Sequence, residues 1–184
     1  MKDILSIIWI FLPAGIANMS PVIANNIPVL RNLKTPLDFG KTFRGKRIFG
    51  DHKTFRGLFA GIIVGLLVAG LQMLLAKLFS WPKDLSLSLD YSSPVILIMG
   101  MALGFGALAG DAIKSFFKRQ INIEPGKPWV PFDQLDFLLG AILVSLLFFQ
   151  LPIRLYVIGL LIGLFLHPTV NIIAWLMRLQ DKPF

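Results

Sequence analysis

Residues 94–117 read PVILIMGMALGFGALAGDAIKSFF, and this stretch decides the fold. From Pro94 to Gly110 it carries no charge, and its apolar residues run together without the alternation of a half-buried strand. Its length suits the roughly 20 mostly apolar residues that a helix needs to cross a hydrocarbon core. Charges return only at its end, with Asp111, Lys114 and Lys118. A transmembrane helix with an ionisable terminus is the reading.

Segments 58–79, 135–151 and 153–177 share that character. Segment 4–30 is long enough but irregular, with Pro13, Pro21 and Pro28 beside Asn18, Asn25 and Asn26. Each interior proline removes a helical hydrogen bond, and unsatisfied backbone in lipid is costly unless it faces protein or water. The first span is therefore expected to be broken or kinked and to line a polar cavity. The prediction is an all-α membrane protein of five spans, one integral membrane domain over residues 1–184. Hydrophobic residues make up 55% of the chain and the mean hydropathy is +0.74, more apolar than a soluble domain. Long blocks in place of short alternating segments argue against an outer-membrane barrel. With no cysteine, disulfides and thiolate metal sites are excluded. Lys2 before an apolar run resembles a signal peptide, but Asp3 and the lack of a small-residue cleavage site favour a retained anchor.

The net charge of +8 would suggest nucleic acid for a soluble chain; here its distribution decides. The loops at 31–56 and 118–134, the adjoining Lys114 and the C-terminus carry 14 of the 18 Lys and Arg. Lys2, Lys77, Lys83 and Arg154 fall on the other side. Basic loops stay in the cytoplasm, which puts the N-terminus outside, the C-terminus inside and the charged face towards the cytoplasm of the cell membrane. Glycines at 57, 61 and 65, and at 100, 104, 106 and 110, suit close helix packing in lipid.

The basic loop echoes itself: Lys41-Thr42-Phe43-Arg44-Gly45 returns twelve residues later as Lys53-Thr54-Phe55-Arg56-Gly57. Cations, hydroxyls and glycine-flanked amides of this kind bind phosphate oxygens, although attraction to anionic headgroups explains a polybasic loop as well. Asp111, Lys114, Ser115 and Lys118 share one helical face. Ionisable groups at a membrane helix usually face a cavity or a protein interior, the plainer reading being an Asp111–Lys114 pair at a helix end. Asp133 and Asp136, at i and i+3, suit a hard divalent cation. They equally suit an N-cap and a first-turn acid. His167 and Asn171 share a face of the last span, either lining a site or bonding between helices. Walker, Gly-x-Ser-x-Gly and Cys/His zinc patterns are missing.

Taken together these residues resemble the CDP-archaeol synthase family, relatives of the CDP-diacylglycerol synthases. The resemblance covers nearly the whole chain. It rests on Pro13-Ala14 with Ala17-Asn18, Asn26 to Leu30, Pro36-Leu37-Asp38, the paired Thr-Phe-Arg-Gly segments and Gly110-Asp111 with Ser115-Phe116 and Lys118-Arg119. Pro125-Gly126, Asp133-Gln134-Leu135-Asp136 and His167-Pro168 with Asn171 complete it. It implies a nucleotidyltransferase that moves a cytidylyl group from CTP to a membrane lipid phosphate, releasing pyrophosphate and using Mg²⁺. By that resemblance Asp111, Asp133 and Asp136 hold the metal and act with Lys118 in catalysis. Asn18, Asn26, Lys41, Thr42, Arg44, Lys53, Thr54, Arg56, Lys114, Ser115 and Arg119 bind the substrates, and His167 and Asn171 line the site. Either isoprenoid ether or acyl ester chains fit the acceptor, and a homo-oligomer is compatible with the reading. A small transporter or channel is the alternative, built on the irregular first span and on His167 and Asn171. A bare anionic-lipid binder would leave the three aspartates without a role.

Overall fold

The computed structural model describes residues 1–27, 30 and 32–176, with every side chain among them except those at 23, 26, 166–168 and 170–176. The expectations for Asn26, His167 and Asn171 as site residues thus lie outside the described side chains. The chain is mostly helical: α1 (Lys2–Asn26), the two short strands β1 (Thr42–Phe43) and β2 (Lys46–Arg47), α2 (Phe55–Leu78), α3 (Trp81–Asp84), α4 (Val95–Gln120), α5 (Phe132–Ser145) and α6 (Ile153–Leu176). Among the described residues, three stretches are long and apolar enough to cross a membrane: Lys2–Val22, Phe55–Leu78 and Val95–Gln120.

Helix α4 stands at the centre, packed against α1, α2 and α5. Its neighbour α2 inverts the pattern of a soluble helix. Gly57, Gly61, Gly65, Ala69 and Ala76 face inward, while Phe59, Ile63, Leu67, Leu71 and Leu78 stay exposed. Lipid solvates large apolar side chains, so the inward face is selected for close approach and not for hydrophobicity. A Cβ on Gly65 would lie 2.2 Å from the Gly100 carbonyl oxygen, so only glycine permits this backbone contact between α2 and α4.

Helix α1 corrects one expectation. The expected break is absent at Pro13 and Pro21, through which the helix continues, while Pro28 lies outside the described residues. Proline at position i leaves the carbonyl at i−4 without its helical donor, and both orphans find another. The Gln72 side-chain amide donates to Trp9 O at 2.6 Å, and Ser20 Oγ donates to Ala17 O at 2.7 Å. Buried polar side chains thus replace the missing N–H groups in a setting without water.

Helix α5 corrects another. The expected 135–151 segment is a 14-residue helix beginning at Phe132 and ending at Ser145, about 21 Å at 1.5 Å per residue. There the chain turns: Phe148 N and Phe149 N both donate to Ser145 O, at 2.9 and 3.0 Å. Leu151 N donates to Tyr156 Oη at 3.0 Å, tying the turn to the start of α6.

The basic loop is ordered around Asp38, only 4% exposed. Its carboxylate accepts from the backbone N–H groups of Gly40, Phe49 and Gly50 at 2.9–3.0 Å and from Arg47 Nη2 at 2.8 Å. The two Thr-Phe-Arg-Gly segments do different work. In the first, Thr42 and Phe43 form β1, and Arg44 and Gly45 turn the hairpin with φ of 53° and 77°, the left-handed geometry that tight hairpins require. In the second, Thr54 caps α2 by accepting from Gly57 N at 3.2 Å.

Candidate active site

The charged end of α4 meets the start of α5 through glycine. A Cβ on Gly110 would lie 2.1 Å from the Asp136 carbonyl oxygen, so the two helices touch backbone to backbone beside the ionisable residues. This contact sets Asp111 on α4 near Asp133 and Asp136 on α5, and the three aspartates converge on one cation. Lys114 Nζ lies 3.1 Å from Asp111 Oδ1, 2.9 Å from Asp133 Oδ1 and 2.7 Å from Asp136 Oδ2. Lys53, from the basic loop, pairs with the other oxygen of Asp111. Lys118 donates to both oxygens of Asp133, at 3.1 and 3.2 Å, and to the Lys127 carbonyl.

The capping alternative for Asp133 does not hold. Pro131 occupies the cap position with no side-chain cap bond, and Asp133 accepts from Trp129 N upstream and from the two lysines. Asp136 Oδ1 accepts from Phe137 N at 2.6 Å, which leaves Oδ2 for Lys114.

Two cavities meet at this cluster. One, about 740 Å³, lies among the loop at 47–53, the end of α4, the loop at 125–130 and the start of α5. Lys114, Ser115, Lys118, Arg119 and all three aspartates line it. The other, about 780 Å³, lies between α1 and the start of α2 and is lined by Asn25, Thr54, Arg56 and the exposed Val22. Asn18, Asp51, His52, Lys53 and Asp111 belong to both walls. Arg56 donates to Leu30 O and Asn25 Oδ1, joining the end of α1 to α2. Ser115 Oγ donates to Asp111 O at 2.9 Å within the helix, and Arg119 to Ile123 O at 2.7 Å.

Lys41, Thr42 and Arg44 are not brought to either cavity; they lie on the hairpin, where the Arg44 guanidinium stacks 5.3 Å over the Phe43 ring. Sequence reasoning missed Arg47, which lines the first cavity and is held between Asp38 and Asp51 at 2.8 and 2.6 Å. These two carboxylates push the Arg47 pKa up. Burial opposes the charge on Asp38, yet Arg47 and the three backbone N–H groups hold its carboxyl well below the usual range. The sequence signal was there: glycines at 40, 45 and 50 all have positive φ and mark the turns that wrap this loop around Asp38.

Among the described residues no three His, Cys, Asp or Glu side chains are already arranged as a metal site. The donor set fits a hard divalent cation nonetheless: three carboxylates surround one cationic centre, with neither thiolate nor imidazole among them.

A family model described as CarS-like, CDP-archaeol synthase, matches residues 1–184. The chain belongs to the CDP-archaeol synthase family. It is 37% identical to the CDP-archaeol synthase of Pyrococcus furiosus over 185 residues, covering 100% of both chains. It is 37% identical to that of Methanocaldococcus jannaschii over 177 residues, 95% of this chain and 93% of the relative. A solved structure of an intramembrane enzyme for archaeal membrane lipids biosynthesis superposes with a TM-score of 0.72 at 35% identity, covering 90% of this chain and 92% of that one. Membership in the CDP-archaeol synthase family bears out the resemblance read from the motifs. The protein is a multi-pass membrane enzyme, a lipid cytidylyltransferase, and the transporter or channel reading is not favoured.

Proposed function

We propose that the first cavity binds CTP, the second receives the phosphate of an archaetidic-acid-type lipid, and the two react across the shared wall of Asn18, Asp51, His52, Lys53 and Asp111. The observation that carries this reading is that shared wall. A nucleotide and a lipid phosphate in adjoining cavities would face each other at one charged cluster, with the exposed Val22 on the lipid side. A lipid phosphate oxygen attacks the α-phosphorus of CTP, a new P–O bond forms, and the bond to the β-phosphate breaks to release pyrophosphate. No covalent enzyme intermediate is needed, so positioning and electrostatics carry the chemistry.

Lys53 stands between the two anions and offsets their repulsion. Lys114, Lys118, Arg119 and Arg47, which line the same cavity, receive the charge that develops on the leaving pyrophosphate. Asp111, Asp133 and Asp136 would hold Mg²⁺, which supplies charge neutralisation on the phosphates when bound. The site faces the cytoplasm, where the basic loops lie and CTP is available, in a five-span chain with its N-terminus outside.

Purified protein given CTP, Mg²⁺ and archaetidic acid should release pyrophosphate and form a CDP-lipid. Asp136→Asn should abolish turnover while the protein keeps its melting temperature within a few degrees. Full activity in that variant would remove Asp136 from the mechanism, and phosphatidic acid used as efficiently as archaetidic acid would remove the ether-lipid preference.

A further inference from the structure

The proposed metal site already contains a cation. Lys114 Nζ sits among three carboxylate oxygens at 2.7–3.1 Å, and its side chain is 14% exposed. Lys53 on Asp111 and Lys118 on Asp133 complete the cluster, three ammonium groups against three carboxylates. The cluster is neutral before any substrate enters. Among the described residues Asp136, its side chain only 4% exposed, has Lys114 alone as a cationic partner.

A magnesium ion would be held by the same three carboxylates that now surround Lys114. The ammonium cannot stay among them as well, because two cations a few ångströms apart in a poorly solvated site repel strongly. Lysine is suited to leaving. Its charge is a compact point on a flexible stem, and Lys114 itself lines the cavity beside Lys118 and Arg119.

We infer that Lys114 is a built-in counter-ion that a divalent metal must displace, and that the displaced ammonium turns to the triphosphate. This rests on the metal reading of the three aspartates. It has a consequence for the order of loading. Metal alone adds two positive charges to a neutral cluster and must unseat a salt-bridged lysine. Metal arriving with a triphosphate brings the anion to which Lys114 can transfer. The free divalent ion therefore binds weakly, and the nucleotide complex is the form that enters.

The test titrates Mn²⁺ alone into chelator-stripped, detergent-solubilised full-length protein, reading the free ion by electron paramagnetic resonance. Wild type is compared with Lys114→Gln, Lys114→Met and Lys114→Arg; the methionine keeps the apolar stem should glutamine impair folding. Either neutral variant should bind Mn²⁺ roughly tenfold or more tighter than wild type, the scale of removing one unit charge beside a divalent ion. In chelator the neutral variants should melt below wild type, and added Mn²⁺ should raise their melting temperature further. Lys114→Arg, which keeps the charge, should stay near wild type. Measurable binding that is equal or weaker in the neutral variants overturns the counter-ion role and leaves the metal reading standing. No Mn²⁺ binding by any of the four proteins, with or without CTP, overturns the metal reading and this inference with it.

Discussion

Gln72 donates its side-chain amide to the Trp9 carbonyl at 2.6 Å, supplying the hydrogen bond that Pro13 cannot. Gln72 is 1% exposed and Trp9 7%, so the bond lies where no lipid or water can replace it. Gln72→Leu should lower stability by about 1–3 kcal/mol, the cost of an unsatisfied buried carbonyl, read as a fall in melting temperature in detergent. Pro13→Ala restores a backbone donor to Trp9 O, so the double variant should be more stable than Gln72→Leu alone. Additive effects would show that the proline and the glutamine are not coupled.

Gly110→Ala should separate α4 from α5, because the added carbon would lie 2.1 Å from the Asp136 carbonyl. Overpacking of backbone against backbone costs typically 1–3 kcal/mol, and a shift near 1 Å at the aspartates should cost about 100-fold in turnover. Gly70→Ala is the control. Its Cβ would meet Leu97 Cδ2 at 3.7 Å, ordinary contact, so activity and melting temperature should stay near wild type.

Asp38 predicts an acid limit. Its folded-state pKa is depressed by Arg47 and the backbone N–H groups of Gly40, Phe49 and Gly50, despite burial. A carboxyl whose folded value lies below its unfolded value near 3.9 stabilises fully above that unfolded value. The contribution fades as pH falls towards the folded value. Asp38→Asn should therefore cost about 2–3 kcal/mol at pH 7, the scale of hydrogen bonds to a charged group. The gap in melting temperature between wild type and variant should hold down to about pH 4 and narrow steadily as pH falls below that. A gap that shows no narrowing between about pH 4 and pH 2.5 would assign the loss to shape and not to charge.

What the sequence disclosed and what it hid follow from the range of the interactions. Apolar length alone placed α2 and α4, and the aspartates stood out because charges at a membrane helix are rare. Continuity of α1 depends on Gln72, 63 residues beyond Trp9, and a local reading of Pro13 cannot find that partner. The run Leu146-Leu147-Phe148-Phe149 looked like more span, but Ser145 and Tyr156 set the turn there. The Thr-Phe-Arg-Gly echo suggested that both copies within the basic loop bind phosphate; the first turns a hairpin away from the cavities, whereas the second caps α2 and sets Lys53, Thr54 and Arg56 in the wall of the second cavity. Lys114 was legible as a cation on the right face, but its place among three carboxylates needed the Gly110–Asp136 contact.

The number of spans is decided at Leu147. Helix α5 has 14 residues, short of the roughly 20 that cross a full hydrocarbon core, yet five spans require it to cross. Leu147, 81% exposed in the turn before α6, then emerges on the side opposite the basic loops. The chain has no cysteine, so each introduced thiol reports alone. In intact cells a membrane-impermeant maleimide should label Asp84→Cys and Leu147→Cys, and should reach Glu124→Cys only after permeabilisation. Asp84 and Glu124 flank α4 alone, so that pair tests α4 whatever the total. Leu147→Cys labelled only together with Glu124→Cys would mean that α5 re-enters without crossing. Asp133 and Asp136 would then lie in the first turns of a half-helix that begins beside the first cavity, where the partial positive charge of its N-terminus would favour an anion.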